Sequence, residues 1–184
     1  EYVTKLVSKD PTVRESVKIN AGAVYPYDVI KGVMETWSYH TDHVIDPTIA
    51  NSIIAQWDAL PNYMDETNIL PMVDVSGSMT SNIGSSITAL DVAVSLGLYL
   101  SDKNKGPFKD TFLTFSGRPA LFTLKGTVID KMKQMVTSDW GMNTNLHKAF
   151  ELILDTATQN NVDPNDMPKY LLILSDMQFD ACAR

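Results

Sequence analysis

Ile69-Leu70-Pro71-Met72-Val73-Asp74-Val75-Ser76-Gly77-Ser78-Met79 is an apolar run that ends in an acid and then places two serines at alternate positions. The run reads as a buried parallel strand. Asp74, Ser76 and Ser78 then fall in the loop at its carboxyl end, where open α/β sheets bind ligands. The trio spells D-x-S-x-S: one carboxylate and two hydroxyls, hard oxygen donors of the kind Mg²⁺ prefers. An acid at a strand end followed by Ser-Gly-Ser is also ordinary turn chemistry, so the trio has to be weighed with the rest of the chain.

Two further segments carry related chemistry. Gly141-Met142-Asn143-Thr144-Asn145 places a hydroxyl, Thr144, in a loop that leads into a helix, although Asn-Thr-Asn there is also an ordinary cap. Tyr170-Leu171-Leu172-Ile173-Leu174-Ser175-Asp176 is a second apolar strand that ends in an acid. Three such loops in this order resemble the metal-ion-dependent adhesion site of von Willebrand factor A domains. The resemblance implies a Rossmann-like α/β fold and a metal site made by Asp74, Ser76, Ser78, Thr144 and Asp176. It implies Mg²⁺ as the ion, with Mn²⁺ as a substitute.

The chemistry is consistent with that set. An octahedral Mg²⁺ site needs about six oxygens and usually keeps several waters. Ser76, Ser78 and Thr144 can supply neutral hydroxyls, while Asp74 and Asp176 can orient bound waters or bind directly. A site with few direct carboxylates leaves the cation under-neutralised, so it attracts an acidic group from outside. The resemblance implies the same outcome: a Glu or Asp of a protein partner completes the shell.

With 184 residues, 44% hydrophobic and 20% charged, the chain is about one globular domain with room for a small extra element. No apolar run approaches the roughly 18 residues that a membrane-spanning helix needs. No basic-then-apolar leader opens the chain, and a first residue of Glu1 fits a fragment or a processed product. A single cysteine, Cys182, excludes an internal disulfide framework and fits a reducing, intracellular and cytoplasmic setting. Net charge of −7 argues against a broad nucleic-acid footprint on these residues, and DNA is not an expected partner.

Residues 1–68 read as a helical segment. Pro11–Val17 fits a short helix capped by Asp10. A second follows Pro26, with Val29, Ile30, Val33, Met34 and Trp37 at helical spacing. A third follows Asp46-Pro47, with Ile49, Ile53, Ile54, Trp57 and Leu60 on one face. From Ile69 the pattern alternates strand and helix, which predicts a largely parallel sheet. Elements are predicted at Ile69–Val73, Ser85–Ser101 (a helix apolar nearly all round), Thr111–Ser116, Ala120–Leu124, Val128–Val136, Leu146–Gln159 and Lys169–Ser175. Residues 69–184 thus read as an A-type domain cut short just after its fourth strand, with one sheet edge unpaired.

The wording narrows the resemblance. "NAGAVYPYDVI" (Asn20–Ile30), a Trp-containing helix, "VDVSGSM", "WGMNTNLHKAFELIL" and "MPKYLLILSDMQFD" follow one another in an order that resembles DUF2828-type proteins. These are relatives of the TROVE family of Ro-type RNA-binding proteins. In TROVE proteins a ring of helical repeats binds RNA and a von Willebrand A domain follows it. By that analogy residues 1–68 are the end of the helical part, and RNA binding is a second functional reading.

Other chemistries fare less well. A serine hydrolase would need Ser76 or Ser78 with His40, His43 or His147, and Asp74 stands where the nucleophile elbow has its first glycine. His40-Thr41-Asp42-His43 lacks the His-Glu-x-x-His form, and no phosphate-binding Gly-x-x-x-x-Gly-Lys loop occurs. Met132, Met135 and Met142 read as core filling or as an adaptable surface, and Trp140 as a partner anchor or a buried support. The expectation is a non-enzymatic binding domain.

Overall fold

A computed structural model describes residues 24–36, 45–64, 67–84, 87–138 and 145–176. In chain order the elements are α1 (Pro26–Thr36), α2 (Pro47–Asp58), β1 (Ile69–Val73), β2 (Asn82–Gly84), β3 (Ile87–Thr88), α3 (Ala89–Lys103), β4 (Thr111–Thr114), β5 (Leu121–Thr123), α4 (Val128–Val136), α5 (Leu146–Gln159) and β6 (Tyr170–Leu174). The main sheet has four strands in the order β5-β4-β1-β6. β1 runs parallel to both β4 and β6, and β5 is antiparallel to β4. The chain is therefore α/β, with a mostly parallel sheet flanked by helices.

The apolar run of β1 follows from burial on both faces. Leu70 and Met72 pack with Leu113 and Phe115 of the β4 region and with Ala149 and Ile153 of α5. Val73 and Phe112 point the other way, into a core built from α1, α2, α3 and α4. Alternate residues of one strand thus feed two separate cores, which is why polar positions are missing from it. On the second face, α3 comes very close to β1. A Cβ added to Gly97 would lie 2.5 Å from Val73 Cγ2, so only glycine permits this approach.

The helical segment shares the larger core. Asp46 caps α2 by accepting the N–H groups of Thr48 (2.8 Å) and Ile49 (3.4 Å). Ile53, Trp57 and Leu60 are buried with Val29, Ile30 and Val33 of α1. The Tyr99 hydroxyl of α3 accepts the Tyr63 N–H (2.9 Å) and donates to Pro61 O (2.7 Å), which fixes the turn after α2.

Several expectations need correction. Ile49 is 57% exposed; it lies one turn before Ile53 and projects past the packed face. The helix predicted from Ser85 starts at Ala89, because Thr88 and Asp91 form a reciprocal capping box. The hairpin β2–β3 occupies the preceding stretch, pairing Asn82 with Thr88 and Gly84 with Ile87. α3 packs against the sheet as its apolar content leads one to expect, with Val92 at 38% exposure on its outer side. Strands β4, β5 and β6 are each shorter than their predicted runs. The helix expected at Pro11–Val17 lies outside the described residues, as do Trp37, His40, His43 and Cys182. Among the described residues no helix is long and apolar enough to cross a membrane.

Candidate metal centre

Pairing between β1 and β6 runs in register from Ile69↔Tyr170 to Val73↔Leu174. It continues one step further, because the Asp74 N–H donates to Leu174 O at 2.9 Å. Asp74 is thereby held at the carboxyl end of the sheet, 2% exposed. Both of its carboxylate oxygens accept protein hydrogen bonds. Oδ1 takes the Ser76 N–H at 2.9 Å, and Oδ2 takes the Ser175 hydroxyl at 2.8 Å.

After Asp74 the chain turns through a single 3₁₀ turn, Gly77–Thr80, closed by the Met79 N–H to Ser76 O at 3.1 Å. Met79 is 2% exposed and pins the turn to the larger core. The turn brings Ser76 Oγ and Ser78 Oγ to 3.0 Å from each other. Asp176 stands two residues beyond β6, at the same end of the sheet as Asp74. Its Oδ1 is buried and has no hydrogen-bond partner among the described residues.

The end of β4 completes this rim. The Phe115 N–H donates to Val73 O and the Asn145 N–H to Ser116 O, each at 3.3 Å. Asn145 caps α5 by accepting the Lys148 N–H at 3.0 Å. Thr144 and the rest of its loop, with Trp140 and Met142, lie outside the described residues. The structure thus gathers Asp74, Ser76, Ser78 and Asp176 at one sheet end and brings Asn145 onto the neighbouring strand's exit.

Ser175 has a role that sequence reasoning missed. The sequence marks it only as the last residue of a strand; the parallel register that sets it against Asp74 belongs to the tertiary structure. His147 does not join the site. Its Nε2 pairs with Glu151 Oε1 at 3.1 Å on an exposed face of α5, with 74% of its own side chain in solvent. Met132 and Met135 are buried in the larger core rather than presented as a surface.

These groups suit a hard divalent cation. Among the described residues no three His, Cys, Asp or Glu side chains converge into a cage. The donor set is instead two carboxylates with two hydroxyls, the oxygen-only chemistry of Mg²⁺ or Mn²⁺ sites that keep several waters. Among the described residues no Lys or Arg forms an ion pair with Asp74 or Asp176. The Asp176 oxygen, unpartnered among the described residues, is the clearest sign that the described groups leave this cluster incomplete, since buried polar atoms are nearly always paired.

Comparison with known proteins gives a distant relative and a family. An uncharacterized protein, L728, of Acanthamoeba polyphaga mimivirus is 28% identical over 170 residues, which is 90% of this chain and 27% of the relative. The chain therefore spans about a quarter of that relative's length. No solved structure matches it. The sequence profile of a domain of unknown function, DUF7788, matches residues 68–184, and on that match the chain belongs to the DUF7788 family.

Proposed function

We propose that this chain is a binding domain of von Willebrand A type that holds Mg²⁺ at the carboxyl end of β1 and β6 and uses it to capture an acidic side chain of a protein partner. The observation that carries the reading is Asp176 Oδ1, a buried carboxylate oxygen with no partner among the described residues. Leaving such a group unsatisfied costs about 1–3 kcal/mol or more, and a bound cation removes that penalty.

Ser76 and Ser78 would offer hydroxyl oxygens, and Asp176 its free oxygen. Asp74 already accepts two hydrogen bonds. A carboxylate has about four lone-pair positions, so Asp74 keeps capacity to orient a bound water. Thr144 enters the set on the family resemblance alone. When bound, the ion supplies an electrophilic position that an anionic oxygen can fill. Asp74 shares its charge with the Ser76 N–H and the Ser175 hydroxyl, so the site stays receptive to an outside acid.

Binding is favoured over hydrolysis because the Ser76 and Ser78 hydroxyls bond each other and His147 is engaged by Glu151 on an exposed face. The TROVE resemblance supplies the alternative, RNA carried by helical parts of a longer protein. The acidic rim described here adds no phosphate-binding surface to that reading.

Calorimetric titration of Mg²⁺ and Mn²⁺ into the purified protein, beside Asp74→Ala, tests the proposal. Saturable binding that the variant loses supports it. A folded protein that binds neither ion overturns it.

A further inference from the structure

We infer that Ser175 is a positioning residue for the cation site: its hydroxyl holds the Asp74 carboxylate in the one orientation in which Asp74 serves a bound ion. This inference rests on the metal-binding reading above, and it concerns a residue outside the D-x-S-x-S, threonine and final-acid set.

Strand register sets the contact. β1 and β6 are parallel and aligned so that Val73 lies beside Leu174, which sets Asp74 beside Ser175. The Ser175 hydroxyl donates to Asp74 Oδ2 at 2.8 Å across a sequence separation of 101 residues. The Ser76 N–H fixes the other oxygen at 2.9 Å. With only the Ser76 bond, the carboxylate could still turn about its χ2 torsion, which is broad and weakly restrained. With both bonds its plane is fixed.

Ser175 also stands between two residues of the site. It bonds Asp74 directly, and its own Cα precedes Asp176, so it couples the two carboxylates to one strand end. Groups that orient metal ligands from behind typically change metal affinity by about 10–100-fold when removed. A Ser hydroxyl is the smallest side chain that can do this from the adjacent strand, and a Thr at the same place keeps the donor.

The test is Mg²⁺ and Mn²⁺ titration calorimetry on the wild-type protein, Ser175→Ala and Ser175→Thr, with thermal unfolding of each in EDTA. Ser175→Ala should weaken binding of both ions about tenfold, and Ser175→Thr should restore it to within about threefold of wild type. The metal-free melting temperatures of Ser175→Thr and wild type should agree closely. If wild type binds and Ser175→Ala binds equally well, the inference fails while the metal site stands. It fails too if Ser175→Thr melts like wild type yet binds as weakly as Ser175→Ala. If wild type binds neither ion, the failure belongs to the metal-binding reading itself, and the inference falls with it.

Discussion

The two ends of the sheet both gather carboxylates, and they treat them in opposite ways. At the amino end, Asp110 precedes β4 and Asp102 lies near the carboxyl terminus of α3. Lys131 of α4 bridges them, 2.6 Å from Asp110 Oδ1 and 3.0 Å from Asp102 Oδ1. Trp57 of α2 donates its indole N–H to Asp102 Oδ2 at 3.3 Å, and Lys103 stands 3.6 Å from the same oxygen. At the carboxyl end, Asp74 is held by a backbone N–H and a serine hydroxyl, and Asp176 Oδ1 by nothing among the described residues. Among the described residues, one end carries its own counter-charge and the other does not. A half-buried ion cluster that is internally balanced serves architecture, here the joining of α2 to α3 and α4. The carboxyl-end cluster, with no cation from the described residues beside it, is the one we propose for a cation from solution.

The largest effect should come from removing the balancing charge at the amino end. Lys131→Met leaves Asp102 and Asp110 facing each other, about one-fifth exposed. Stripping one partner from a buried pair costs about 3–5 kcal/mol, and partial exposure lowers this to roughly 2–4 kcal/mol. Urea unfolding in EDTA measures it. A loss below about 0.5 kcal/mol would erase the contrast between the ends, because surface-like pairs behave that way.

At the carboxyl end the dependence should be on metal instead. Asp176→Asn should leave metal-free stability unchanged or raise it, since it discharges a buried oxygen that has no partner among the described residues. Mg²⁺ at about 100 times its dissociation constant should raise wild-type stability by about 2.7 kcal/mol. That gain should vanish in Asp176→Asn and persist in Lys131→Met if the latter remains folded. Thermal melts with and without EDTA separate the cases. A Mg²⁺ gain undiminished in Asp176→Asn would show that the orphaned oxygen is not part of the site.

Gly97 links the core to the loop that carries Asp74. Gly97→Ala places a Cβ against Val73, the residue just before Asp74. Overpacking of this kind costs about 1–3 kcal/mol. Stability should fall, and Mg²⁺ affinity should fall with it. The double variant with Val73→Ala should recover part of both. Recovery of stability without affinity would show that β1 does not transmit the strain to the metal loop.

The smallest and most diagnostic effect is in pH. Burial works to raise the Asp102 carboxyl, but the Lys131 hydrogen bond and the charges of Lys131, Lys103 and Lys109 outweigh it, leaving Asp102 below its ordinary value of 3.8. Burial likewise works to lower Lys131, and its bonds to Asp110 and Asp102 carry it above 10.5. A carboxyl depressed by folding stabilises above its unfolded value and loses that contribution as pH falls through the folded value. A raised lysine stabilises below its unfolded value and loses the contribution as pH rises through the folded one. In EDTA the amino-end cluster should therefore contribute steadily between about pH 5 and pH 10 and fade beyond both limits. Lys131→Met should flatten both limbs, measured by urea midpoints across pH.

Much of this was legible in the chain. Val128–Val136 and Leu146–Gln159 have the observed helix bounds, because apolar spacing and polar caps agree there. Thr127 and Asp130 form a capping box that any reader of T-x-x-D can find. The start of α3 is harder to see although Thr88-x-x-Asp91 has the same form, since the apolar content of residues 87–101 masks the short strands before it. The acids and hydroxyls of the site could be named from their order alone. Ser175 and the Asp102–Lys131–Asp110 cluster could not, since each contact spans 21 residues or more of sequence.

By itself the sequence determined most of the main-sheet strands and the helices α1, α2, α4 and α5, which strand ends carry oxygen donors, and that the strand before Asp74 is buried on both faces. These depend on local spacing, propensity and capping, which act within a few residues. Only the tertiary structure decided that β6 lies parallel beside β1 in the register that sets Ser175 against Asp74. It alone drew Lys131 between Asp102 and Asp110 while pairing no described lysine with Asp74 or Asp176. Strand order and register come from how whole faces pack, and a shift of one residue would turn each side chain to the other face.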